Sequence, residues 1–157
     1  MDHFEPTLLW AIALLPLIGF AINGAAVFLA PARKAIPTIV GPGVVALAFV
    51  IALVNFFRML GADLHEPVVE TYWQWMPVGS LNIDAAFQLD QLSMLMTLIV
   101  TGVSMLIHIF SVGYMREDPG YARYFAYLNL FVFFMLVLVL GANFALMFVG
   151  WEGVGLC

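Results

Sequence analysis

The chain has 157 residues, of which 64% are hydrophobic and only 10% are charged. A soluble domain has about a quarter of its residues charged and could not cover its surface with so little polar material. The composition therefore predicts an integral membrane protein. The five basic residues are scattered and form no basic patch, so nucleic acid is not an expected partner. A single cysteine excludes an internal disulfide and a multi-cysteine metal site.

Two long apolar segments open the chain. The first is predicted to span the membrane over about residues 8–31, and the second over about residues 40–59. Pro37 and Pro42 lie near the predicted start of the second segment, where the missing N–H of a proline costs little. Because about 20 apolar residues cross a bilayer, each segment is long enough for one transmembrane helix.

The next segment, residues 61–90, is acidic and contains no Lys or Arg. Apolar and polar residues alternate on both sides of residues 77–80, whose sequence Pro-Val-Gly-Ser is typical of a turn. The pattern predicts a short β-hairpin in an outer loop between the second and third helices. Its aromatic side chains suit the membrane–water interface, so we expect the hairpin to lie on the membrane surface.

A third span is predicted over about residues 91–114, and one face of it is polar. Six polar side chains follow one another at intervals of three or four residues, which places them on one side of a helix: Ser93, Thr97, Thr101, Ser104, His108 and Ser111. This stripe is either a hydrated face that passes protons or a seam where small residues let helices pack closely. His108 is a candidate for proton transfer, because imidazole titrates near neutral pH and is rare in lipid.

The last 34 residues would form a helix about 51 Å long, well beyond the ~30 Å hydrocarbon core, so they must turn. The break is predicted at residues 140–143, which divides the segment into a fourth span, about 123–140, and a fifth, about 143–157. Glu152 then lies about 14 Å into the fifth helix, near the bilayer centre. Because the fifth helix stops too early to cross, the sequence is expected to be a piece of a longer protein.

The only carboxylate after Asp118 is that of Glu152. An ionisable side chain inside a bilayer is costly, so Glu152 is the main candidate for a functional group. The alternative is that Glu152 only marks where an apolar helix reaches water. The sequence thus predicts one all-α membrane domain over residues 1–157, with about five transmembrane helices, the fifth truncated.

The distribution of basic residues predicts the orientation of the chain. With the N-terminus outside, the loops at 31–39 and 113–123 face the cytoplasm and contain four of the five basic residues. We therefore expect a multi-pass membrane protein with its N-terminus outside and its acidic loop on the outer surface.

Four stretches of the sequence, taken together and in this order, resemble a known protein family. They are FQLDQLS at 87–93, LIHIFSVGYM at 106–115, YARYFAYLNLF at 121–131 and, the most specific, FVGWEGVGLC at 148–157. In these stretches the chain resembles the antiporter-like membrane subunits of NADH:quinone oxidoreductase, respiratory complex I, and in particular the N-terminal part of the L subunit.

The resemblance implies a proton-translocating subunit of the membrane arm, in the bacterial inner membrane, that couples quinone reduction to proton transport. Glu152 matches the family's essential intramembrane glutamate on the fifth helix, which pairs with a lysine on the seventh helix, beyond this sequence. The chain has no glycine-rich turn after a strand, no cysteine cluster and no paired histidines for a redox centre. We expect no cofactor in this chain, with NADH, FMN, iron–sulfur clusters and quinone bound by partner subunits.

Two alternatives remain open at this stage. One is the large subunit of a multisubunit sodium/proton antiporter, which shares the same helices and the same glutamate. The other is a truncated product without a function. The expected partners under the first interpretation are the other membrane subunits of complex I and the lipid bilayer.

Overall fold

The computed structural model describes residues 6, 8–30, 33–61, 66–79 and 81–157. The elements in chain order are α1 (Leu9–Leu29), α2 (Ala35–Leu60), β1 (Val68–Val78), β2 (Leu81–Leu89), α3 (Gln91–Tyr114), α4 (Tyr121–Leu140) and α5 (Phe144–Leu156). Ser80 and residues 62–65 of the predicted outer loop lie outside the described residues.

The predicted fold class is confirmed. Within the described part of the chain, α1, α2, α3 and α4 are long and apolar enough to cross a membrane, and α5 is a shorter apolar helix of 13 residues. β1 and β2 pair antiparallel as a two-stranded hairpin between α2 and α3. Gly79 in its turn has a φ of 61°, a left-handed conformation that glycine adopts without steric cost.

The second helix begins earlier than the sequence predicted. It starts at Ala35 rather than near residue 40, so Pro37 lies in its first turn and Pro42 lies inside it. The N–H groups of a first turn have no partner within the helix, so Pro37 removes no helical hydrogen bond. An interior proline such as Pro42 is tolerated in membrane helices when neighbouring groups satisfy the carbonyl it leaves free.

Four helices form a bundle in which α1 packs against α2 and α4, and α3 packs against the same two helices. The core contains Ile12 of α1, Val45 of α2, Met94 of α3 and Leu136 of α4. Small residues allow the close approach that membrane helices need. For example, a Cβ atom at Gly41 would lie 2.5 Å from the ring of Phe125.

The helix α5 lies outside this bundle and packs mainly against α4. The turn between them is bound to the hairpin. The Ala142 N–H donates to the Ala86 carbonyl over 3.0 Å, and the Asn143 side-chain amide donates to the Asp84 carbonyl over 2.7 Å. The Asn143 side-chain oxygen also accepts the Leu146 N–H at 3.0 Å and so caps α5.

Asp90 begins α3 with a capping box. Its carboxylate accepts the Ser93 N–H at 2.7 Å, and the Ser93 hydroxyl accepts the Asp90 N–H at 2.8 Å. The hydrogen bond from the Ser93 N–H favours the charged carboxylate and lowers the pKa of Asp90.

We predict that Asp90→Ala lowers the free energy of unfolding by about 1 kcal/mol, the usual cost of losing such a cap. Because the pKa of Asp90 is lowered by folding, its contribution is present above the unfolded pKa and is lost as the pH falls through the folded pKa. Thermal unfolding in detergent at neutral and acidic pH measures both effects. Asp90→Asn is the control: it keeps a cap, so a loss as large as that of Asp90→Ala would contradict the role of the cap.

Candidate functional site

Two glycines fix the rotation of α5 about its axis. Gly150 and Gly153 are buried and lie three residues apart, so they share one face of the helix. A Cβ atom at Gly150 would lie 2.5 Å from the backbone nitrogen of Leu138, and one at Gly153 would collide with the ring of Phe134. This face of α5 therefore packs directly on α4.

Glu152 lies on the face of α5 that α1–α4 leave uncovered. At 100° per residue it is about 200° around the helix from Gly150. Glu152 is exposed, as are its neighbours Phe148 and Trp151, at 57% and 61%. The helix begins at Phe144, so the carboxylate lies about 12 Å along it. The arrangement presents one titratable carboxyl group, among apolar side chains, away from the bundle.

His108 lies in the opposite kind of environment, inside the bundle. It is fully buried on α3. Its Nδ1 lies 2.7 Å from the Ser104 carbonyl oxygen, and its Nε2 lies 3.1 Å from the side-chain oxygen of Asn129 on α4. The ring of Phe125 packs beside the imidazole at a centroid distance of 6.0 Å.

The polar stripe of α3 faces the neighbouring helices. Five of its six members are buried: Thr97, Thr101, Ser104, His108 and Ser111. The Thr101 hydroxyl donates to the Thr97 carbonyl over 2.7 Å, and the hydroxyls of Ser111 and Tyr124 lie 3.0 Å apart. The first of these hydrogen bonds lies within α3, and the second joins α3 to α4. Ser93, the sixth member, is half-buried and belongs to the capping box.

The structure does not bring Glu152 and His108 together. Helix α5 contacts α4 and β2, whereas His108 lies between α3 and α4. Sequence reasoning missed the buried amides of Asn23, Asn55 and Asn129. The sequence does contain a sign of them, because each lies inside an otherwise apolar span, where a polar side chain usually marks a contact between helices. Across the described ranges, no group of three or more His, Cys, Asp or Glu side chains could hold a metal ion.

Comparison with known proteins finds relatives of this chain among the subunits of NADH-quinone oxidoreductase. Residues 75–125 match the family model for the N-terminus of NADH-ubiquinone oxidoreductase (complex I) chain 5. The NADH-quinone oxidoreductase subunit L of Escherichia coli K12 is 47% identical over 152 residues, which cover 92% of this chain and 23% of that protein. The subunit L of Mycobacterium tuberculosis H37Rv is 43% identical over 148 residues, 94% of this chain and 23% of that protein.

A fungal relative, NADH-ubiquinone oxidoreductase chain 5 of Allomyces macrogynus, is 40% identical over 111 residues, 71% of this chain and 17% of that protein. The chain belongs to the family of complex I subunit L and chain 5. It spans about a quarter of the length of the bacterial relatives it matches. The predicted resemblance to the subunit L family is thus confirmed.

The glycines of α5 give a direct test of how this helix packs on α4. We predict that Gly150→Ala and Gly153→Ala each lower the free energy of unfolding by about 1–3 kcal/mol, because the added methyl group overpacks the contact with α4. The melting temperature of the detergent-solubilised protein measures the change.

Gly155→Ala is the matched control on the same helix, since a Cβ atom there meets nothing within 4 Å. It should be neutral or stabilising by up to about 1 kcal/mol, because alanine favours a helix. Equal losses at Gly150, Gly153 and Gly155 would contradict the packing described here.

Proposed function

We propose that this chain is part of a proton-translocating membrane subunit of NADH-quinone oxidoreductase, and that Glu152 carries the proton. The observation that carries the proposal is the carboxyl group that α5 presents on its uncovered face, about 12 Å along an apolar helix. A charge facing hydrocarbon is costly, so this face requires cover from protein or water. In the proposed complex, further helices of the subunit would supply this cover.

The proposed chemistry needs a partner for Glu152. Burial of a carboxyl group favours its protonated form, and a nearby cation favours its charged form. A carboxyl group balanced between the two can be switched when the cation approaches or withdraws. The only lysine of this chain, Lys34, precedes α2 and donates to the Arg116 carbonyl, so the cation would come from another part of the protein. The family resemblance indicates a lysine on a later helix.

His108 is the second proposed group. Its imidazole is in hydrogen-bond contact with two oxygen atoms inside the bundle, and it would act in proton transfer only in combination with other groups. NADH, FMN, iron–sulfur clusters and quinone would be bound by partner subunits, so quinone reduction would take place outside this chain. The other membrane subunits of complex I are the proposed protein partners.

The test of the main proposal is Glu152→Gln in the assembled complex that contains the full-length subunit. Glutamine keeps the size of the side chain and removes its proton equilibrium. NADH-driven proton uptake into membrane vesicles should fall by roughly a hundredfold, while a native gel shows normal assembly. Glu152→Asp titrates but is shorter by one methylene, so it should retain an intermediate rate.

The matched control is Glu117→Gln, which removes the same charge from an exposed loop residue. It should leave proton uptake unchanged. Full proton uptake by an assembled Glu152→Gln complex would reject the proposed role of Glu152. Loss of sodium transport rather than proton transport would favour the antiporter alternative.

We further propose that the protein lies in the bacterial inner membrane with the hairpin outside. Arg33, Lys34 and Arg123 line one cavity of about 290 Å³ at the end of the bundle where α2 and α4 begin. Lysine and arginine residues that flank transmembrane helices are retained on the cytoplasmic side. The hairpin, which carries Glu70 and Asp84, would then face outward.

Cysteine labelling tests this orientation in a Cys157→Ser background, which removes the native thiol. Single cysteines that replace Glu66 and Glu117 probe the two ends of the helix bundle, since both residues are exposed. A membrane-impermeant thiol reagent added to spheroplasts should label the cysteine at 66 and leave the one at 117 unmodified until the membrane is opened. The reverse pattern would overturn the orientation.

A further inference from the structure

The imidazole of His108 faces two oxygen atoms, which restricts its hydrogen bonding. Its Nδ1 is 2.7 Å from the Ser104 carbonyl oxygen, so Nδ1 must carry the hydrogen and donate to it. A neutral imidazole then has no hydrogen on Nε2, yet Nε2 lies 3.1 Å from the side-chain oxygen of Asn129. Either the imidazole is doubly protonated, or the Asn129 amide is turned over and its NH₂ group donates to Nε2.

Both solutions leave one atom of the Asn129 amide without a protein partner. In the first it is the NH₂ group, and in the second it is the oxygen. Asn129 is fully buried, and the structure gives its outer amide atom no hydrogen-bond partner among the described residues. This atom points at α1, because a Cβ atom built on Gly19 would lie 2.9 Å from it.

A second buried amide lies one turn along α1. Asn23 follows Gly19 by four residues and therefore shares its face. Its side chain is fully buried, and within the described ranges neither its oxygen nor its nitrogen has a hydrogen-bond partner. Side chains on a helix lean toward its N-terminus, so the Asn23 amide leans back toward the level of Gly19 and Asn129.

We propose that the space between these two amides, at the contact of α1 with α4, is a binding site for ordered water. An unpaired buried amide costs free energy, and a buried water typically makes about three hydrogen bonds to such groups. The water bridges Asn23 to Asn129 and extends the hydrogen-bonded series that begins at the Ser104 carbonyl and passes through His108.

Water fits this site better than a metal cation. Helix α1 contains no charged residue, and the only charged residue of α4 is Arg123, which is exposed. Hard cations bind where carboxylates neutralise them, and none is available on these two helices. Water can donate to one amide and accept from the other. When the Asn129 amide turns over, the water can therefore exchange its donor and acceptor roles. The site is thus compatible with both the neutral and the doubly protonated imidazole of His108.

The experiment is a cryo-EM map of the intact complex at a resolution that shows ordered solvent. The expected result is a water peak within about 2.7–3.2 Å of both the Asn23 and the Asn129 amides. A dry contact there, or a direct hydrogen bond between the two amides, would overturn the proposal. Proton transport is not measured, so failure of this proposal leaves the role of Glu152 unaffected.

A second map, of Asn23→Leu, tests whether the amide holds the water. Leucine has a similar size but offers no hydrogen bond, so the peak between α1 and α4 should disappear. The matched control is Thr97→Val, which removes another buried polar atom that the structure leaves unpaired, on α3. It should leave the peak at Asn23 in place. A peak that survives Asn23→Leu would show that Asn23 does not bind this water, and would also overturn the proposal.

Discussion

The joint between α4, α5 and the hairpin, formed by Ala142 and Asn143 with Asp84 and Ala86, constrains the position of Glu152. Inside or near a bilayer, the N–H and C=O groups that a broken helix releases must find partners in the protein. Helix α4 ends at Leu140, and the hairpin supplies partners for the residues that follow. Ala142 pairs with Ala86, and Asn143 binds the Asp84 carbonyl while it caps α5.

This joint sets the position of Glu152 along the axis of α5, and the glycines of α5 set the face of the helix on which it lies. Because α5 begins at Phe144, Glu152 lies about 12 Å along the helix from the joint. Gly150 and Gly153 hold the opposite face of α5 against α4. The side chain of Glu152 is thereby directed away from α1–α4 and stays exposed.

Much of the architecture could be predicted from the sequence, because each feature has a local signal. Hydropathy over about 20 residues indicates a span, alternation around Pro77 and Gly79 indicates a hairpin, and intervals of three and four indicate a shared helix face. The length of the last segment indicates a break, and Gly141 and Asn143 indicate its place. The early start of α2 was not predicted, because Pro37 and Pro42 favour a helix that begins near residue 40.

The rest depends on contacts between distant parts of the chain and could not be predicted. Asn143 reads as an ordinary turn residue, and its bond to Asp84 spans 59 positions. The sequence does not distinguish the three glycines of α5, although an added Cβ atom would meet α4 at Gly150 and Gly153 and would meet nothing within 4 Å at Gly155. Likewise, the contact of His108 with Asn129 joins two helices, and only the fold shows that Asn23 lies on the face of α1 that approaches them.

If the joint is fixed, it holds α5, and with it Glu152, in one position relative to the hairpin. A cysteine pair at Ala86 and Ala142 tests this, because these residues are opposite each other in an antiparallel contact, at a spacing that suits a disulfide. In the full-length subunit of the assembled complex, the account predicts that the disulfide forms on oxidation and that NADH-driven proton uptake is the same before and after reduction. Failure to form the disulfide, or loss of proton uptake that reduction restores, would contradict a fixed joint.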